Sequence, residues 1–108
     1  MDESAFETLA DRMLADCLAR IEATLADSVE VDFESGILTI ELDDGRKYVI
    51  NKHVPNLQIW LSSPVSGAAH FAYEPLSREW RSTRGGQHLT KRLAEELTDL
   101  TGTDIAFD

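Results

Sequence analysis

From Phe6 onward the apolar residues Phe6, Leu9, Ala10, Met13, Leu14, Cys17, Leu18, Ile21 and Leu25 recur at intervals of three and four. That spacing draws a single apolar stripe along an α-helix and predicts a first helix over residues 4–26. Asp2 and Ser4 can cap its start, and Glu3 and Glu7 suit the positive end of the helix dipole. The period then falls to two: Val29, Val31 and Phe33 alternate with Glu30, Asp32 and Glu34, and Ser35-Gly36 supplies a turn into Ile37 to Leu42. Asp43-Asp44-Gly45 marks a second turn, followed by a predicted strand from Lys47 to Lys52, a loop at Pro55-Asn56 and a strand from Leu57 to Ser62. Ser63 to Gly67 interrupts the pattern, and short strands are expected at His70 to Tyr73 and around Trp80. From Gln87 the leucines Leu89, Leu93, Leu97 and Leu100 predict a second helix, with Gly102 placed to close it.

Strands that follow one another without intervening helices make an antiparallel meander, which can bury one face and leave the other to water. The fold class is therefore α+β: a two-layer sandwich in which the N-terminal and C-terminal helices pack on one face of an antiparallel sheet. The 108 residues fit a single domain spanning 1–108, and no repeat or linker divides them.

Charge narrows the range of partners. With 20 Asp and Glu against 10 Lys and Arg, the formal net charge is -10, so nucleic acid and anionic membrane surfaces are expected to repel the chain. The single cysteine, Cys17, excludes an internal disulfide and a thiolate metal cage within one chain. It lies on the apolar stripe and reads as a small buried hydrophobe rather than a reactive thiol. No apolar run approaches the ~20 residues that a membrane-spanning helix needs. The acidic opening Met-Asp-Glu-Ser resembles neither a signal peptide nor a mitochondrial presequence, so a bacterial cytoplasmic protein is expected, with a processed form in the mitochondrial matrix as the alternative. Nothing resembles a heptad or a self-complementary patch, and a monomer is expected.

Signatures of enzymes are absent: no glycine-rich phosphate loop, no nucleophile elbow and no paired histidines on one helix face. His53, His70 and His88 fall in three different elements and read as structural or surface residues rather than a shared metal site. The acids carry more information, because hard cations such as ferrous iron want carboxylate oxygen. Glu3, Glu7 and Asp11, spaced four apart, line one flank of the first helix, and Glu22 falls near the same flank further on. Arg12, Asp16 and Arg20 alternate in sign at the same spacing and read as a solvated face. If the first strand is an edge beside that helix, Glu30, Asp32 and Glu34 together with Asp27 extend the acids into a negative ridge. An edge strand charged against aggregation gives the same pattern, and composition alone leaves both readings open.

The strand from Leu57 to Ser62 holds a second anomaly. Leu57, Ile59 and Leu61 share one face, which leaves Trp60 with the polar pair Gln58 and Ser62. An outward Trp is a preferred interface anchor, and Asn51, outward in the preceding strand, is placed beside it.

The stretch Asn51 to Gly67, NKHVPNLQIWLSSPVSG, closely resembles the signature segment of frataxins, both mitochondrial and bacterial CyaY-type. Agreement extends from Leu9-Ala10-Asp11 through Ser35-Gly36, Leu38-Thr39, Tyr48 to Asn51 and Trp80 to Glu95-Glu96-Leu97, nearly the whole chain. The resemblance implies two helices on an antiparallel sheet, an acidic ridge that binds iron weakly, and a sheet surface that docks on the cysteine desulfurase and scaffold complex of iron-sulfur cluster assembly. Asp11 and the first-strand acids match ridge positions, and Asn51, Gln58, Trp60 and Trp80 match the family's sheet-surface residues. The second half of the first helix departs from the family, since Arg20, Ala23 and Thr24 dilute its acids and leave Glu22 and Asp27, which implies a weaker ridge. Mitochondrial members tend to carry a basic residue where this chain has His70, so a partner contact there is expected to depend on pH. The implied role is a non-enzymatic accessory that binds ferrous iron (Fe2+, with Fe3+ as a second form); the alternative is a ferroxidase that oxidises Fe(II) at the ridge and stores the product.

Overall fold

The computed structural model describes residues 1–107. Helix α1 (Glu3–Thr24) leads into six strands, β1 (Val29–Glu34), β2 (Ile37–Leu42), β3 (Lys47–His53), β4 (Gln58–Ser63), β5 (Gly67–Glu74) and β6 (Glu79–Ser82), and helix α2 (Leu89–Thr101) follows. The strands form one sheet in the order β1-β2-β3-β4-β5-β6, every neighbour antiparallel. Both helices pack on the same face, as the sequence pattern predicts.

Asp2 is the residue that caps α1, its carboxylate accepting the Ala5 N–H at 2.8 Å. The helix stops at Thr24, two residues before the expected end, because Leu25 turns into the core and its carbonyl accepts the N–H groups of Ser28 and Val29 as the chain reverses into β1. Phe6, Ala10, Leu14, Cys17 and Ile21 line the buried side of α1, and Leu89, Leu93 and Leu97 that of α2. Against them lie Leu38, Ile40, Tyr48, Ile50, Ile59, Leu61 and Phe71 from alternate positions of four strands, all buried. Complete burial of a side chain of this size contributes roughly 1.5–3 kcal/mol each.

Other boundaries also differ from the sequence reading, several for a local reason. β4 begins at Gln58 rather than Leu57, since Leu57 sits in the left-handed region (φ 53°) after a single 3₁₀ turn at Val54–Asn56. β5 is longer than predicted and starts at Gly67 (φ 81°), which pairs with Ser63 and turns the chain straight back on β4. α2 begins at Leu89 rather than Gln87, with His88 as its extended cap, and Gly102 (φ 73°) closes it in the expected left-handed form.

One polar cluster ties α2 to the sheet. The Tyr48 hydroxyl donates to Glu96 Oε1 at 2.7 Å and the Ser63 hydroxyl donates to the same oxygen at 2.6 Å. Ser63 Oγ in turn accepts the N–H groups of Val65 and Ser66, both at 3.0 Å, and so fixes the β4–β5 turn.

Ser35 and Gly36 both have positive φ, 54° and 77°, as a two-residue hairpin turn requires. A Cβ on Gly36 would lie 2.9 Å from Lys52 Cε. Gly36→Ala is expected to lower stability by about 1–2 kcal/mol, the usual cost of a left-handed non-glycine residue, read as a lower urea midpoint. Lys52→Ala, which removes the Cε, should not restore the loss when added to it, because the strain lies in the backbone; full rescue relative to Lys52→Ala alone would place it in the side-chain clash instead.

Candidate functional site

Two surfaces gather the residues that the sequence singles out. The first is the edge formed by α1 and β1. β1 starts at the C-terminal end of α1 and runs back along it, since the β1–β2 turn at Gly36 lies against Lys52, which in turn reaches Glu7 and Asp11 near the start of the helix. Glu3, Asp11, Glu22, Asp27, Glu30, Asp32 and Glu34 are exposed and Glu7 is half-buried. Glu22 and Glu30 line one shallow cleft between the end of α1 and β1. Among the described residues no three carboxylates, imidazoles or thiols converge on a ready-made metal cage. The edge is thus a strip of carboxylates, most of them open to water, of the kind that can share a hard cation with water.

Lys52 was not foreseen. Its ammonium sits 2.8 Å from Asp11 Oδ1 and 3.4 Å from Glu7 Oε1, with Asp11 the main cause of its raised pKa. Strand alternation carries the signal, because Lys52 follows Tyr48 and Ile50 on the helix-facing side of β3. Two of the eight candidate ligands are therefore already paired with a cation of the protein itself.

The second surface is the outer sheet face. Register places Asn51, Trp60 and His70 side by side on β3, β4 and β5, and Gln58 opposite His53. The Trp60 indole donates its Nε1–H to Gln58 Oε1 at 3.0 Å. His53 and His70 stack on its two faces, ring centroids 3.6 and 4.2 Å away and planes tilted by 7° and 8°. Two histidines that the sequence leaves in unrelated elements thus meet across one Trp; alternation puts both on the outward side, and His53, paired with Gln58 in the ladder, reaches Trp60 diagonally.

Trp80 is a correction to the expected sheet-surface set. It is buried on the helix side, edge-on to Phe6 at 5.8 Å and to Tyr73 at 5.3 Å. The four residues of β6 alternate so that Glu79 and Arg81 take the outer face, which leaves Trp80 to the core. His88 lies apart from the other two histidines, its Nδ1 paired with Glu79 Oε2 at 2.9 Å.

Cys17 is buried against Met13, with its thiol raised to about 12 by burial first and by the Asp16 charge second. An unfolded thiol ionises near ~8.5, so the folded chain keeps its proton where the unfolded chain loses it. This contribution to stability is intact below that pH and declines as pH rises towards about 12. Urea midpoints of the wild type are expected to fall from pH 9 to pH 10 more steeply than those of Cys17→Ala; equal slopes would assign the loss to other groups.

Comparison with known proteins gives a consistent picture. A family described as "Frataxin-like domain" matches residues 1–103. The iron-sulfur cluster assembly protein CyaY of Thioalkalivibrio sulfidiphilus is 36% identical over 107 residues, 97% of this chain and 98% of that protein. A mitochondrial frataxin-like protein of Leishmania donovani is 35% identical over 105 residues, 91% of this chain and 56% of that protein. The chain spans about half the length of the mitochondrial relatives that it matches. The solved frataxin of Psychromonas ingrahamii superposes with a TM-score of 0.88 at 27% identity, covering 100% of this chain and 99% of that one. A trimeric frataxin of Saccharomyces cerevisiae complexed with ferrous superposes with a TM-score of 0.70 at 36% identity, covering 94% and 88%.

Proposed function

The chain belongs to the frataxin family, and from that premise we propose that it is an accessory protein of iron-sulfur cluster assembly, binding ferrous iron weakly and docking on a cysteine desulfurase and its scaffold. The observation that carries the docking half is the row Asn51, Trp60 and His70, adjacent across three strands on the sheet face that no helix covers. The iron half rests on the carboxylates of α1 and β1 and on the ferrous complex of the yeast relative.

Exposed single carboxylates suit a carrier. Each supplies one or two oxygens to a hard cation and water fills the remaining positions, so affinity stays modest and the ion is easily given up. Lys52 divides the strip: its one ammonium offsets one of the two charges of Glu7 and Asp11, and Glu22, Asp27, Glu30, Asp32 and Glu34, which it does not reach, are the better ligands. The ferroxidase alternative needs inward carboxylates of the kind that hold two irons in a helical bundle. Glu96, the carboxylate turned towards the sheet, is instead occupied by the hydroxyls of Tyr48 and Ser63.

The bacterial CyaY among the relatives favours a cytoplasmic setting, with the mitochondrial matrix as the alternative that the mitochondrial relatives favour. No helix among the described residues is long and apolar enough to cross a membrane. A monomer is the proposed state, with an iron-dependent oligomer as the alternative, which the trimeric yeast relative supports.

Sulfide release by a cysteine desulfurase and scaffold, with ferrous iron present, is expected to change rate when this protein is added, and Trp60→Ala should abolish most of the change. No change with either protein would discard the docking role and turn attention to iron oxidation. Ferrous iron added to the ¹⁵N-labelled protein is expected to broaden amides around Glu22 and from Asp27 to Glu34. Lys52→Met should extend the broadening to Glu7 and Asp11, whereas silence in both α1 and β1 would end the iron reading.

A further inference from the structure

A large side chain on a sheet surface usually has freedom to lean, yet the Trp60 indole has none of its faces open. His53 on β3 covers one face at 3.6 Å and His70 on β5 covers the other at 4.2 Å. Adjacent strands lie ~4.8 Å apart, so rings at this spacing stand on edge in a column that runs across the strands. The indole donor is also taken, by Gln58. What the sheet offers a partner is therefore the edge of a fixed ring, not a face for stacking.

The two imidazoles are not equivalent. His70 is exposed, whereas His53 is half-buried and its Nδ1 is shut off from solvent with no hydrogen-bond partner among the described residues. A second ring proton on His53 would leave that N–H without an acceptor, a costly arrangement for a charged group. A second N–H on exposed His70 would have water as its acceptor. An imidazolium on the face of an indole gains a cation–π attraction that the neutral ring lacks.

The surrounding charges leave that proton to the column. Outward positions on β4 carry none; β3 has Lys47 at its far end, and β2 and β1 have Glu41, Glu30, Asp32 and Glu34. On β5 and β6, Glu74 pairs with Arg81 at 3.0 Å and Glu79 with His88 at 2.9 Å.

We infer that His53 and His70 are positioning residues for Trp60: they hold the indole on edge between them, and a proton on His70 tightens the hold by turning a neutral stack into a cation–π contact. The consequence for docking rests on the function proposed above; the stack itself does not.

Tryptophan fluorescence of the protein alone tests the stack, since an imidazolium in contact quenches an indole and buried Trp80 is common to every variant. Wild-type emission is expected to fall in a step as pH is lowered and the stack gains a proton. His70→Gln should remove this step and His53→Gln should keep it. A step that persists in His70→Gln overturns the assignment of the proton.

Docking to the desulfurase and scaffold at pH 7.5 tests the positioning. His53→Gln is expected to weaken it about threefold to tenfold, the scale of one lost aromatic contact, and His53→Tyr, which restores a ring, should recover it. If Trp60→Ala abolishes docking while His53→Gln leaves it unchanged, positioning by His53 is wrong. If Trp60→Ala leaves docking unchanged, the docking role of the sheet face fails instead, and the fluorescence step still decides the stack.

Discussion

The apolar stripe of α1, Phe6 through Ile21, and the leucines of α2 lie against one sheet face built from alternate residues of β2 to β5, and this one-sided burial sets the orientation of every other group. A strand that slipped by one residue would send Leu38, Ile50 or Leu61 into water and bring Thr39, Asn51 or Trp60 into the core, so the register is held by the whole layer and not by any single bond. Within that layer the Glu96 cluster sets the angle between α2 and the β4–β5 turn, because one carboxylate oxygen serves hydroxyls from two strands. The outward row of Asn51, Trp60 and His70 is the reverse side of the same register.

The two candidate surfaces differ in kind, and the difference comes from where they lie on the sheet. β1 is an edge strand whose outward residues are Glu30, Asp32 and Glu34, so its unpaired backbone is guarded by charge while the same carboxylates remain open to cations. The column on β3, β4 and β5 lies inside the sheet, where each of its strands is paired on both sides. Exposed single charges can exchange a small ion; a stack of rings set by three strands can present a defined shape to a protein. A basic partner would meet both, drawn by the net charge of -10 and oriented by the central rings.

Patterns of period two and 3.6 carried most of the architecture, because alternation in β1 to β4 and the helix stripes are set by which side is dry. The outward placement of Trp60 followed from the same rule. Positions decided by backbone geometry were harder to read: Leu57 has no glycine-like signal for its left-handed turn, and β5 begins at Gly67 because the turn after Ser63 is tight. Trp80 was carried over by resemblance as a surface residue, although its spacing between Glu79 and Arg81 already assigned it to the apolar side. The Lys52 pairing and the His53 contact with Trp60 depend on reach across elements, which spacing along one strand does not encode.

Because the sheet runs in strict chain order, each strand finds its partner next to it in sequence and the hairpins can assemble locally. The layer that covers them comes from the opposite ends of the chain, α1 before the first strand and α2 after the last. During synthesis α1 is available before the sheet is complete, whereas the part of the layer that α2 covers, with Phe71 beneath Arg92, waits until α2 has been made. Loss of either helix would return the part of the sheet that it covers to water.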